Sequence, residues 1–338
     1  MPKVSVVMPA YNVEKYIGQA FDSLISQTFT DWECCVVNDA STDGTLKIIE
    51  EYAVREPRIR YKTLDKNTGA AKIPRDTAIA MSSSEWIVML DADDTLAANV
   101  IENLILRQIE TEADIVLPSM LFTDEDGNVT KRYVPAIDFD FSQIITGLEA
   151  AALTIGSWTI GMNGSLIPKK IYDNRHILSS VDREYLYNAD EYDSRQMLIA
   201  ANKVAFVDVA YYYRQNPASI TKTFDIKRFG VLLTNKALQK LIEANYGSDH
   251  SIIEKMKRQR FAGIIDCRYL LLKNRNKLSK QNYLFAGKLI EENYNDICRK
   301  NRVIRSHSLI KRFLLTHNYT LFKTSTYLFV KIKKQNER

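Results

Sequence analysis

The residues best placed for chemistry stand at the ends of apolar, β-rich runs. Asp91-Ala92-Asp93-Asp94 follows the run 86–90, and carboxylates so close together repel one another unless a cation or basic side chain compensates. Hard Mg²⁺ or Mn²⁺ takes oxygen ligands, often one or two carboxylates completed by substrate phosphates, so this spacing predicts a site that recruits a nucleotide diphosphate. An ordinary helix start competes with that expectation, with Asp93 or Asp94 capping a helix that is apolar at Val100, Leu104 and Ile105. Asp39-Ala40-Ser41-Thr42-Asp43-Gly44 ends the run 33–38, where the same residue types also make a plain turn before a helix near Thr45. Pro9-Ala10-Tyr11-Asn12 ends the run 4–8. It stands where a dinucleotide-binding glycine fingerprint would fall, and no Walker loop occurs, which disfavours nicotinamide and P-loop chemistry.

For these ends to meet, the chain must build parallel strands with helices between them, because ligands of an open α/β sheet bind beyond the carboxyl ends of its strands. The runs 4–8, 33–38, 59–64 and 86–90, with 114–117 as a fifth, alternate with helical periods and so predict βαβ units on a mostly parallel sheet with helices on both faces. The first helix is apolar at Val13, Ile17, Phe21 and Leu24, and Asn12 is expected to cap it. From Ser119 the rhythm changes to a hairpin around Glu125-Asp126-Gly127-Asn128. A helix carrying Asp190 and Glu191 and a β-rich run 204–214 follow, and residues 226–300 read as amphipathic helices. The expected organisation is an α/β domain over 1–224, with halves 1–118 and 119–224, and a helical region over 225–338.

The 338 residues, 46% hydrophobic and 26% charged, can bury a sizeable core. A formal net charge of +5 does not suggest a nucleic-acid binder. The four cysteines, Cys34, Cys35, Cys267 and Cys298, lack the spacing of a zinc site or a disulfide framework and fit a reducing compartment. No basic leader and no apolar stretch of spanning length is seen, so the expected location is cytoplasmic.

Taken together, Val6-Val7-Met8-Pro9-Ala10-Tyr11-Asn12, Val36-Val37-Asn38-Asp39-Ala40-Ser41-Thr42-Asp43-Gly44-Thr45 and Leu90-Asp91-Ala92-Asp93-Asp94 closely resemble glycosyltransferase family 2, whose fold is called GT-A. The similarity continues through Asn67-Thr68-Gly69, Pro74-Arg75-Asp76, Asp190-Glu191 and Tyr211-Tyr212-Tyr213-Arg214, covering roughly 3–224. The resemblance implies an inverting transferase that moves a sugar from a nucleotide-diphosphate donor, UDP-linked by expectation, to a saccharide or lipid-linked glycan in bacterial surface polysaccharide synthesis. It implies that Pro9, Ala10, Tyr11, Asn12 and Glu14 form the base and ribose side of the pocket, with Asp39 accepting a hydrogen bond from a uracil-type imide. Asn67, Gly69 and Ala92 belong to the same pocket by this resemblance. Asp91 would contact ribose or metal, Asp93 would be the principal ligand of Mg²⁺ or Mn²⁺, and Arg75 would face the diphosphate. The segment departs from the family there, with Pro74-Arg75-Asp76 in place of Ala-Arg-Asn and Ala78 in place of glycine. Asp190 falls at the catalytic-base position with Glu191 as its rival, although acidic residues also suit a helix N-terminus for dipole reasons alone. Arg214 and Ser219 match a segment that folds over the donor phosphates.

Two other readings stay open on sequence: a sugar-phosphate nucleotidyltransferase, and an inactive glycan-assembly scaffold. Beyond Cys298 the chain is strongly basic, with Glu337 as the single opposing acid and apolar residues interleaved. Residues 301–338 are therefore expected to form interfacial helices that dock peripherally on the anionic inner face of the cytoplasmic membrane, with a solvated face or an oligomer contact as the alternative.

Overall fold

A computed structural model describes residues 3–133, 139–155, 162–174, 189–215, 224–247, 251–298 and 319–336. The chain divides into two compact units, one of Met1–Thr154, Thr159–His176 and Asp193–Ser219, the other of Ile155–Trp158, Ile177–Tyr192 and Ile220–Arg338.

The first unit is built on two seven-residue strands, β1 (Val4–Ala10) and β2 (Trp32–Asn38), both buried along their whole length. Such unbroken burial marks parallel strands covered on both faces. Alternation along β1 sends Val4, Val6 and Met8 to one face, where they pack with Ile17, Phe21 and Leu24 of α1 (Ile17–Ile25), and Val7 to the other, with Ala78 and Ile79 of α3 (Lys72–Met81). α2 (Thr45–Arg55) connects β2 to β3 (Ile59–Thr63), and β4 (Trp86–Met89) returns beside β1. β1 therefore lies between β2 and β4, with all three strands and β3 parallel. This is a topological switch point, because the chain leaves β1 toward one neighbour and comes back on the other side.

Beyond β4 the sheet becomes mixed. β5 (Thr95–Leu96), α4 (Val100–Thr111), β6 (Ile115–Thr123) and β7 (Val129–Tyr133) precede β8 (Ile144–Ile145), α5 (Gly147–Leu153), β9 (Leu166–Pro168), α6 (Lys169–Asp173), α7 (Ala189–Ala200) and β10 (Val204–Arg214). The strand order is β3-β2-β1-β4-β9-β6-β10-β5, with β7 paired to β6 and β8 to β10. β6 and β10 are parallel, whereas β9 runs antiparallel between β4 and β6. The fold class is the expected one: α/β, with a mostly parallel sheet and helices at the C-terminus.

Three local expectations change. Asn12 does not cap the first helix: α1 starts at Ile17 with Tyr16 before it, and Asn12 adopts a left-handed φ of 50°. Neither Asp93 nor Asp94 caps α4, because β5 intervenes and Asn99 occupies the cap position. The fifth strand runs past Pro118 to Thr123, and its partner β10 carries an irregularity between Val207 and Ala210, where a proline without N–H is tolerated. The hairpin forms where expected, with Asp124 accepting from the backbone N–H groups of Asp126 and Asn128 and Gly127 at φ 90°.

In the second unit a 3₁₀ turn (Ile226–Gly230) leads into α8 (Val231–Tyr246), α9 (Ser251–Lys273), α10 (Lys280–Cys298) and α11 (Tyr319–Asn336). Phe229, Leu232, Phe261, Ile264, Leu271, Ile290, Tyr294 and Phe322 form its core. Among the described residues no helix is long and apolar enough to cross a membrane. Cys34, Cys35 and Cys267 are buried free thiols. Burial, first of all, pushes Cys35 and Cys267 up to about 12, which makes them inert.

Candidate active site

The carboxyl ends of β1, β2 and β4 lie side by side and present the three polar segments on one rim. The first two are zipped together. Asn12 N–H donates to Ser41 Oγ (3.0 Å), Thr42 N–H donates to Asn12 Oδ1 (2.8 Å), Val13 N–H donates to Thr45 Oγ1 (2.8 Å), and Gly44 N–H donates to Glu14 Oε2 (2.6 Å). Glu14 thus tethers the loop after β2. Tyr11 stands 41% exposed at the edge of the crevice, while Pro9, Ala10 and Ala92 are buried and can meet a ligand only through backbone.

Asp39 is 3% exposed, and its backbone N–H donates to Ala10 O (2.8 Å). Its carboxylate accepts from Asn67 Nδ2 (3.1 Å), Thr68 N–H (3.0 Å) and Thr68 Oγ1 (2.9 Å). Gly69, at φ 77°, donates its N–H to Asn67 Oδ1 (2.9 Å) and turns the loop back. A carboxylate gripped by three donors is fixed in orientation and keeps lone pairs for a further N–H.

Asp91 is gripped as firmly. Arg75 on α3 donates to its Oδ1 (2.9 Å), Asn163 donates from Nδ2 to its Oδ2 (2.7 Å), and its backbone N–H meets the Tyr211 hydroxyl at 3.4 Å. Pro74 lies in the first turn of α3, where its missing N–H breaks no helical bond. Asn163 reaches Asp91 because Gly164, at φ 74°, donates its N–H to Met89 O. A Cβ on Gly164 would stand 2.5 Å from the Tyr211 ring. The sequence carries no signal of this role for Asn163, since the pair is 72 residues apart and depends on the chain entering β9.

Asp94 lies beneath the rim, 1% exposed. It accepts from the Tyr211 hydroxyl and from Arg214 N–H (2.7 Å). Burial, then the charges of Asp93 and Asp91, push its carboxyl well above the usual range. Arg214 is 6% exposed and directs Nε to Asp93 O (3.0 Å), Nη2 to Gln19 Oε1 (2.6 Å) and Nη1 to Glu125 O. Its guanidinium therefore supports the Asp91–Asp94 turn from below, bonded to protein acceptors. Asp93 is half-buried at the turn.

Among the described residues no three His, Cys, Asp or Glu side chains gather as a protein-made metal cage. Mg²⁺ and Mn²⁺ do not need one when substrate phosphates complete the coordination, and the Asp91–Asp93 pair fits an ion shared with such a substrate. Asp190 and Glu191 occupy the first turn of α7, Asp190 exposed and Glu191 half-buried, in the segment that belongs to the second unit. Further along the same helix Asp193 pairs with Lys72 of α3 (3.1 Å). Ser219 and residues 158–161 lie outside the described residues, as do 301–318.

Residues 5–172 match the family model described as glycosyl transferase family 2. The chain is 27% identical over 305 residues to glycosyltransferase GlyG of Streptococcus pneumoniae, covering 87% of this chain and 93% of that one. It is 34% identical over 147 residues to the poly(ribitol-phosphate) beta-N-acetylglucosaminyltransferase TarP of Staphylococcus aureus, covering 39% of this chain and 43% of that protein's length. Among solved structures, S. aureus TarS 1-349 in complex with UDP-GlcNAc superposes with a TM-score of 0.66 at 18% identity, over 99% of this chain and 92% of that one. The matched segment carries the strands and loops that bring Asp39, Asp91 and Asp93 to one rim, and on these grounds the chain belongs to glycosyl transferase family 2 and is a glycosyltransferase enzyme.

Proposed function

We propose that this glycosyltransferase binds a UDP-sugar in the crevice between β1, β2 and β4 and transfers the sugar, with inversion, to a bacterial cell-surface glycan. The observation that carries this reading is the pairing of two oriented carboxylates, Asp39 and Asp91, on either side of the β1 end at a topological switch point. Asp39 is held so that an oxygen can accept the imide N–H of a uracil, and Tyr11 offers an aromatic face at the pocket edge. Asp93, with Asp91 beside it, would hold Mg²⁺ or Mn²⁺, which would supply positive charge to the donor diphosphate. The choice of UDP is supported by TarS, which binds UDP-GlcNAc. A cell-surface acceptor is supported by TarP, which acts on poly(ribitol-phosphate).

In this reading Asp190 takes the proton of the acceptor hydroxyl as that oxygen bonds to the anomeric carbon. The bond from that carbon to the diphosphate oxygen breaks, and the configuration reverses. Arg214, the last residue of β10, acts by supporting the carboxylate turn, and Ser219 follows it in sequence. Asp190→Asn is expected to retain UDP-sugar binding and lose at least about a hundredfold in transfer, the span of general-base catalysis. Near-normal transfer by Asp190→Asn, with collapse in Glu191→Gln, would move the base to Glu191.

A further inference from the structure

The helical unit holds a second polar site, separate from the chemistry described above. Between α8, α9 and α10 lies a cavity of about 230 Å³ whose lining includes Lys236, Lys240, Lys257, Arg260, Glu243 and Asp296. Four cations thus face two carboxylates, and Ile297 is the one apolar side chain in the lining. An apolar ligand has little to gain there. A water occupies roughly 30 Å³ of liquid, so the space exceeds what one or two bridging waters need.

Arg260 decides the chemistry. It is 3% exposed, an unusual placement for a guanidinium, and it is fixed by three acceptors: Gln239 Oε1 to Nη1 (2.7 Å), and Asn293 Oδ1 (3.2 Å) and Asp296 Oδ2 (3.0 Å) to Nη2. Gln239 is itself oriented by donating from Nε2 to Glu243 Oε1 (2.6 Å), so its carbonyl oxygen must face the arginine. Burial, the first cause, lowers the guanidinium's affinity for its proton despite the nearby charges of Asp296 and Glu243. Arg260 is paired with Asp296, but the lining as a whole carries four cations against two carboxylates, an excess of positive charge that favours an incoming anion. Lys257, whose side chain is 12% exposed, spends part of its charge on Glu254 (3.1 Å), leaving Lys236 and Lys240 to complete the field.

We propose that this cavity binds a phosphate group, as a phosphate ester, drawn by the excess of positive charge that the fixed Arg260 guanidinium, Lys236 and Lys240 bring to its lining. The phosphate can belong to a soluble polyol or sugar phosphate or to a lipid headgroup, which share the chemistry the site reads.

Calorimetric titration of the full chain with inorganic phosphate and glycerol phosphate, at constant ionic strength, tests the site, alongside sedimentation with phosphatidic acid vesicles and phosphatidylcholine controls. The double variant Lys236→Gln, Lys240→Gln on the outside of α8 should weaken phosphate binding by about tenfold or more, as loss of charge-assisted contacts does. Glu243→Gln, which keeps an acceptor for Gln239 while removing a negative charge, should tighten it. UDP binding serves as the control and should not change in either variant. Binding of the soluble ions with these shifts supports a soluble source, and binding confined to phosphatidic acid vesicles with the same shifts supports a headgroup. Absence of binding in every arm, or binding insensitive to both variants, overturns the proposal.

Discussion

Asp91 shows how the site separates holding from reacting. Both carboxylate oxygens are engaged, one by Arg75 and one by Asn163, and the amide is met by Tyr211. The next carboxylate, Asp93, is placed by backbone: Arg214 holds its carbonyl, and Asp94 is anchored on both sides by β10. Asn163→Ala should therefore reduce UDP-sugar affinity by about tenfold, the usual loss when a hydrogen bond to a charged group disappears, while thermal stability changes little. Calorimetry beside a melting curve checks this, and unchanged affinity would show that Arg75 alone orients Asp91. Asp39 and Asp93 were legible in sequence because their position after a buried strand constrains where their side chains can be. Asn163 was not, since its contact is made by a chain reversal far along the sequence. Nor was the fate of Arg214: sequence shows an arginine after a β run, and only its burial reveals that protein acceptors claim its fork.

At the scale of elements, the register of β1 against β2 and β4 sets the crevice, and a buried polar cluster helps to lock it. Ser5 Oγ donates to Glu33 Oε1 (2.6 Å) across β1 and β2, Ser83 donates to the same oxygen through N–H and Oγ, and Arg60 pairs with Oε2 (2.7 Å). Burial opposes ionisation of Glu33, yet these donors and the Arg60 charge outweigh it and leave its carboxyl below the ordinary 4.5. A group with a lowered folded pKa contributes stability that is complete above its unfolded value and is lost as pH falls through the folded one. The wild-type chain should thus lose stability below about pH 4.5 more steeply than Glu33→Gln, measured by denaturant unfolding across pH 2–6. At neutral pH the variant should be less stable by roughly 1–3 kcal/mol, because buried donors lose a charged partner. Equal acid slopes would remove Glu33 from this role. Periodicity made β1 to β4 and their helices readable, whereas β9 could not be read: three residues carry no period, and its antiparallel insertion follows from the tertiary path.

For the whole molecule, the change from β-rich to helical patterning near residue 224 was visible in sequence, but the buried Arg260 and its acceptors were not. Amphipathic periods say which face is covered, not which polar group on that face finds a partner. In α11 Phe322 and Thr326 are buried while Leu321 and Tyr327 are exposed at 38% and 51%, so this helix both packs and presents apolar surface. With the basic residues of the tail, such a surface suits an anionic bilayer. Deleting 301–338 should abolish co-sedimentation with anionic vesicles and leave neutral vesicles unaffected as a control; unchanged sedimentation would assign the tail to another contact.

The proposed UDP-sugar site at the ends of β1, β2 and β4, completed by a divalent ion on Asp93, makes a thermodynamic prediction. Calorimetric titration of UDP and GDP into the full chain with Mn²⁺, then with EDTA, and again with Asp93→Ala, tests it most directly. UDP binding should exceed GDP binding, weaken on chelation, and become insensitive to Mn²⁺ in Asp93→Ala. UDP binding that is the same with Mn²⁺, with EDTA and in the variant would contradict the role of Asp93, and no nucleotide binding under any condition would contradict the site itself.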